Sequence, residues 1–355
     1  MKNEEHIISL QNDLAGVFRK TARYGKLLAF ARLLTYGLTF LYFIFIIYTF
    51  FSGGGMFVHD YEANPNPTFW ETNRLVIYII PVFALITLGG FLTSFSYTKF
   101  VTMENDAVKR IIGKLFPDAK CTVNTGPVSK SRLNDSLFFD GLSQGGVLGS
   151  SMSYGSLTVI RNGKQLKVRD IGILESKGRN LAEKTQVGGF AYIIYNTFRM
   201  ATASRMDSAM CHFRGLFSYV DLGKELPHSV VMLPDKLECH LDYMAQTIQA
   251  MKNIKGNKLV TLENPEFERY FAVYSSDEVF ARYILTPAMM ERMTALREKY
   301  GRDIMISFNG SRFYFAVSMP EGFLTLGNNA GKNEVVGDLY ENVATALQVI
   351  DDLRL

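Results

Sequence analysis

The stretch LLTYGLTFLYFIFIIYTFF, residues 33–51, decides how the chain is read, together with LVIYIIPVFALITLGGFLTSFSY at 75–97. Neither run holds a charged residue, although the 355 positions include 38 basic and 34 acidic side chains. An uncharged apolar run of about 18 or more residues marks a helix that spans a bilayer. At about 1.5 Å per residue the two runs reach about 28 and 34 Å, against a hydrocarbon core of about 30 Å. The first starts well inside the chain and lacks a small-x-small cleavage site before the loop that follows. It therefore reads as a retained helix and not as a signal peptide.

The flanking charges orient the pair. Arg19, Lys20, Arg23, Lys26 and Arg32 precede the first run, and Lys99, Lys109, Arg110 and Lys114 follow the second. The loop 52–74 holds Asp60, Glu62 and Glu71 with Arg74 as its one basic residue. The positive-inside rule then places both termini in the cytosol and the loop outside. Trp70 and Tyr78 fall where an aromatic belt would anchor the second helix, and Pro81 should kink it modestly. The expected organisation is a basic amphipathic segment at 1–32, a transmembrane hairpin at 33–97, and a cytosolic domain at 98–355. Cys121, Cys211 and Cys239 all fall on the cytosolic side, in keeping with reduced thiols. The slight basic excess gives no reason to expect nucleic acid. Lipid is the partner that the basic flanks imply.

Ile7, Leu10, Leu14 and Val17 have helical spacing, so 5–26 reads as an amphipathic helix running into the first span. A further helix is expected at about 101–116, then a Gly/Ser-rich region at 141–156. Two hairpins are signalled by Asn-Gly: Ser156–Arg161 with Lys164–Val168 around Asn162-Gly163, and Ile304–Phe308 with Arg312–Val317 around Asn309-Gly310. Strand-like runs lie at 212–220 and 228–233, and helices at about 235–252 and 334–353. Strands joined by hairpins, with helices set apart, make an antiparallel α+β domain. Residues from about 101 onward are expected to suffice for a folded unit.

The block LENPEFERYFAVYSSDEVFARYILTPAMMERM at 262–293 also reads as structure. Asn264 before Pro265 reads as an N-cap with proline at the first helical position. Ser275 with Glu278 reads as a capping box, Glu278 and Arg282 as an i,i+4 pair, and Thr286-Pro287 as a stop followed by a new cap. The block resembles the signature of a bacterial two-pass membrane family catalogued as domain of unknown function 3137. HFRGLFSYVDL at 212–222 is similar to that family's Gly-Leu-Phe strand, and VVMLPDK at 230–236 follows in the expected place. The resemblance implies two membrane helices ahead of a cytosolic domain, location in the inner (cytoplasmic) membrane, and a LemA-type membrane protein as a candidate partner. It implies no catalytic residues.

Chemistry is sparse. Cys211-His212 and Cys239-His240 supply four nitrogen and sulfur groups of the kind tetrahedral zinc takes. Neighbours on a strand point to opposite faces, however, and no Cys-x-x-Cys spacing appears, so no metal is expected. Gly327–Asn333 lacks both the spacing and the Ser/Thr of a P-loop, and no nucleotide or other cofactor is expected. In 188–206, Phe190, Ile193 and Ile194 would share a helix face near Arg199, either in the core or on the inner leaflet. The expectation is a membrane-anchored binding or scaffold protein. The alternatives are a membrane-bound enzyme with an unrecognised site and an accessory subunit of a membrane complex.

Overall fold

The computed structural model describes residues 2–51, 69, 73–123, 125–139, 143–144, 147–148, 151–161, 164–174, 211–235, 247, 257–320, 322–326 and 334–353. The expected helix at 235–252, apart from Thr247, and the segment 188–206 lie outside them. The described residues fall into two compact units. One holds those of Met1–Phe18, Glu104–Gly189 and Met210–Leu355, and the other those of Arg19–Met103.

The second unit consists of residues 19–51 of helix α1 (Lys2–Phe51) and 74–103 of helix α2 (Arg74–Leu115). Both helices are long and apolar enough to cross a membrane. Their apolar side chains point outward, with Leu88 and Phe91 71% and 75% exposed. Gly25 lies against the Phe100 ring and Gly89 against Thr35, so the helices pack antiparallel. Arg32 departs from the open row of basic flanks: it is 1% exposed, with Leu28 and Ala31 of α1 and Ser96 of α2 also buried.

In the first unit the chain order is β1 (Lys120–Val123), α3 (Lys130–Asp135), β2 (Ser143–Gln144), β3 (Val147–Leu148), β4 (Ser151–Arg161) and β5 (Lys164–Leu174). There follow β6 (Cys211–Asp221), β7 (Val230–Pro234), β8 (Lys258–Val260), α4 (Pro265–Tyr270) and β9 (Phe271–Ser275). The chain ends with α5 (Glu278–Ile284), α6 (Pro287–Tyr300), β10 (Ile304–Asn309), β11 (Arg312–Ser318) and α7 (Val335–Leu353). Among the described residues nine strands form one sheet in the order β1-β4-β5-β6-β11-β10-β7-β9-β8, with each neighbouring pair antiparallel. The α+β class is therefore as the sequence indicated.

One sheet face is covered by helices, with Leu10, Leu14 and Phe18 of α1 and Val108, Ile111 and Ile112 of α2 sharing its core. The amphipathic start of α1 thus packs on the protein's own sheet. Met293 of α6 and Leu339 and Val343 of α7 complete that layer. On the other face, Leu133, Phe138 and Phe139 cover Phe213, Phe217 and Tyr314.

Local signals read largely true, with instructive shifts. Asn264 Oδ1 accepts from Phe267 N at 3.0 Å, with Pro265 at the first position of α4. Arg282 and Glu278 meet at 2.6 Å. The capping box is not formed. Asp277 caps α5, its Oδ1 accepting from Phe280 N at 2.6 Å, while Ser275 stays in β9 and donates to Ser229 O at 2.7 Å. A carboxylate at the N-cap outcompetes a hydroxyl two residues earlier. Thr286 holds the N-cap position of α6 without a side-chain bond. The first hairpin pairs Arg161 with Lys164, leaving Asn162-Gly163 between them. In the second, Asn309 pairs with Arg312, so the central residues are Gly310-Ser311. Gly310 alone has positive φ, +58°, the pattern of a type II′ turn rather than I′. Asn309 is held in the strand, where its Nδ2 donates to Asp135 O at 2.8 Å.

Candidate functional site

The densest polar constellation in the sheet unit lies under the helical layer. Asp170 of β5 falls on the same side of its strand as Leu166 and Val168, and is fully buried. Arg214 of β6, 6% exposed, faces it: Nη2 donates to Asp170 Oδ2 at 3.1 Å, and Nη1 lies 3.0 Å from Oδ1. Oδ2 also accepts from the backbone N–H of Phe323 (3.1 Å) and Leu324 (2.9 Å). The guanidinium stacks on the Tyr154 ring at 3.1 Å from its centroid, and Arg214 O accepts from Met319 N at 2.9 Å. Gly322, at φ +72°, lies so close to Arg214 that a Cβ would strike the guanidinium. Leu326 N donates to Glu104 Oε1 of α2 at 2.8 Å, and Glu104 is also fully buried.

Two buried carboxylates thus hold the irregular segment 322–326 from opposite ends. Their oxygens face backbone N–H groups and an arginine already stacked on a ring. Such an arrangement orders a loop, and it offers no open coordination position or free nucleophile. A second buried pair, Arg297 Nη2 to Asp303 Oδ1 at 3.2 Å, ties the end of α6 to the start of β10. Sequence reading passed over all of these groups. The available signal was a charge on the apolar phase of an alternating strand, as in Leu166-x-Val168-x-Asp170.

Of the residues singled out for zinc, Cys211 and His212 open β6 and are half-buried. Cys211 Sγ lies 3.8 Å from Tyr154 Oη. Cys239 and His240 lie outside the described residues, as do Phe190, Ile193, Ile194 and Arg199. Among the described residues no three His, Cys, Asp or Glu side chains gather at metal-binding distance. The Cys121 thiol is pushed up to about 11 by burial, with Lys109 opposing, which leaves it a poor nucleophile at neutral pH.

Hydroxyl, imidazole and carboxylate do meet at the start of α5. His228 Nδ1 lies 3.3 Å from Ser276 Oγ, and Nε2 lies 3.9 Å from Asp277 Oδ2. The second distance exceeds hydrogen-bond range. Asp277 uses its other oxygen as the α5 cap, and the His228 and Asp277 side chains are 41% and 39% exposed. A hydrolytic triad needs an oriented base in a water-excluded site, and neither condition is met here.

The same helix carries the clearest exposed apolar side chains of the sheet unit. Val279 and Tyr283, one turn apart on α5, are 78% and 73% exposed. Both lie within the block at 262–293.

No curated protein and no solved structure matches the chain. A family model does match, over residues 211–355, from β6 through α7. The family that those residues match is described as "Protein of unknown function (DUF3137)".

Proposed function

We propose that this chain is a membrane-anchored binding protein: α1 and α2 cross the bilayer, and the sheet unit works in the cytosol to engage a partner. The observation that carries this reading is the α5 face, where Val279 and Tyr283 project into solvent within the family-matched residues 211–355. Isolated exposed apolar residues are ordinary. Two on consecutive turns of a short, well-capped helix fit a surface that is covered in use. The outward apolar side chains of α1 and α2 support the anchor, because lipid accepts what water penalises. The basic flanks support an orientation with both termini inside.

Photo-crosslinking tests the reading directly. The full chain carrying benzoyl-phenylalanine at Tyr283 is irradiated in native membranes and the adducts are identified, with a LemA-type protein as the first candidate. One dominant protein adduct, lost on Val279→Asp, is the expected result. No adduct at position 283 beyond that of a probe at exposed Lys258 would sink it. Labelling intact cells with an impermeant maleimide checks orientation. A cysteine at Asn64 should react and one at Asn328 should not.

A further inference from the structure

The β4–β5 hairpin carries a surface of a different kind. Its strands run 11 residues each, as β6 does, and β1 pairs only with 155–158 of β4 while β6 pairs with 168–174 of β5. Residues 159–161 and 164–167 therefore lie beyond the stretches paired to either neighbour. One face of this extension is locked into the core through Val159 and Leu166. On the opposite face Gln165 and Lys167 are exposed, and Ile160 is 69% exposed.

Register fixes what stands on that face. Lys120, Thr158 and Lys167 form one row across three strands. The two lysines are thus about 10 Å apart, two interstrand spacings. Arg169 follows on the same side of β5, its Nη1 donating to Gly126 O at 3.1 Å. Across β1, β4 and β5 the one acid is Asp170, which is buried on the other face and engaged by Arg214.

We propose that this hairpin face docks on anionic lipid headgroups. The inference rests on the reading of the chain as membrane-anchored. Two exposed lysines with the Thr158 hydroxyl between them, on strands that carry no acid on this face, match the phosphates of a headgroup layer. A protruding isoleucine beside the lysines can enter the headgroup boundary, as interfacial segments do. A bilayer held by the chain's own helices stays at high effective concentration, so modest contacts suffice.

The test uses the full chain in nanodiscs, with a polarity-sensitive fluorophore on Gln165→Cys in a background where the three native cysteines are serine. Discs of phosphatidylcholine alone are compared with discs containing phosphatidylglycerol, and vesicles of the same two compositions are added to the neutral discs. A blue shift in phosphatidylglycerol, within the disc or with added vesicles, that disappears on going from 50 to 500 mM salt is the expected result. Lys120→Gln with Lys167→Gln should weaken the response about 25-fold, near fivefold for each basic residue, without moving the melting temperature. No response in either format overturns the proposal. So does a response the double variant leaves intact, because the basic helix flanks would then be its source. A shift driven by polyglutamate and not by lipid would also overturn it, assigning the face to an acidic protein. The readout at Gln165 reports lipid whether or not Tyr283 crosslinks to a partner, so the two proposals fail separately.

Discussion

The two halves of the sheet solve different problems with the same architecture. In β7, β9, β10 and β11 both faces are covered, and the strands read as nearly unbroken apolar runs: VVMLP, FAVYS, IMISFN, RFYFAVS. In the β4–β5 hairpin one face is open, and LTVIRNGKQLKVR alternates. A strand buried on both sides has no position left for recognition, whereas an alternating strand presents every second residue to whatever lies outside. The half matched by the family model is the saturated one, and the open half lies almost wholly outside the match. Shared architecture and surface chemistry are thus divided between the two halves.

That contrast can be broken most forcefully by charge. Val231→Asp, at a fully buried position of β7, should cost more than about 5 kcal/mol, enough to unfold the unit. Thr158→Asp on the open row should stay within about 0.5 kcal/mol. Denaturant melts of the two variants check this, and similar losses would mean that the β4 face is covered after all. Next in size is the pair that joins the halves. Asp170→Ala should cost about 3–5 kcal/mol by stranding Arg214 and two backbone N–H groups. Adding Arg214→Met should recover part of that, which a double-mutant cycle measures.

A smaller effect is expected at Cys121 of β1, whose side chain enters the covered face beside the hairpin. Its folded pKa lies above the model-peptide value of 9.0, so the folded state favours the neutral thiol. The associated stability is present below pH 9 and drains away as pH rises toward about 11. Chemical denaturation at pH 8 and 10.5 should show a decline that Cys121→Ala removes. The smallest change is expected in the saturated half. Tyr314 is fully buried, and its hydroxyl has no hydrogen-bond partner among the described residues. Tyr314→Phe should lie between no change and a gain of about 1 kcal/mol by thermal melting, since no bond is lost.

Sequence reading did best where a short-range rule has one physical solution. Pro265 after Asn264, the run of Leu10 and Leu14, and the uncharged spans each admit few alternatives. It slipped where two neighbours compete for one job, as Ser275 and Asp277 do for the α5 cap and Asn309 and Gly310 do for the turn. In both cases a tertiary bond decided: Ser275 to Ser229, and Asn309 to Asp135. The Asp170–Arg214 centre was hidden for another reason. Its partners are 44 and 153 residues apart in the chain, and no local pattern announces such a meeting. The bare faces of α5 and the hairpin depend equally on what fails to cover them.

The placement of α1 has a consequence for the order of events during synthesis. Its Gln11 side chain accepts from the backbone of Val336, 325 residues downstream, and its Leu10, Leu14 and Phe18 finish a core that α7 also lines. A fragment that starts near residue 101 lacks these groups and begins life short of a wall. In the intact chain the first helix emerges first yet finds its partner last. At about 5–20 residues per second the wait is roughly 16–65 seconds, with an apolar stripe exposed beside the nascent chain. The two ends of the fold thus share one core, and a chain cut short before α7 leaves the Leu10, Leu14 and Phe18 stripe without part of its cover.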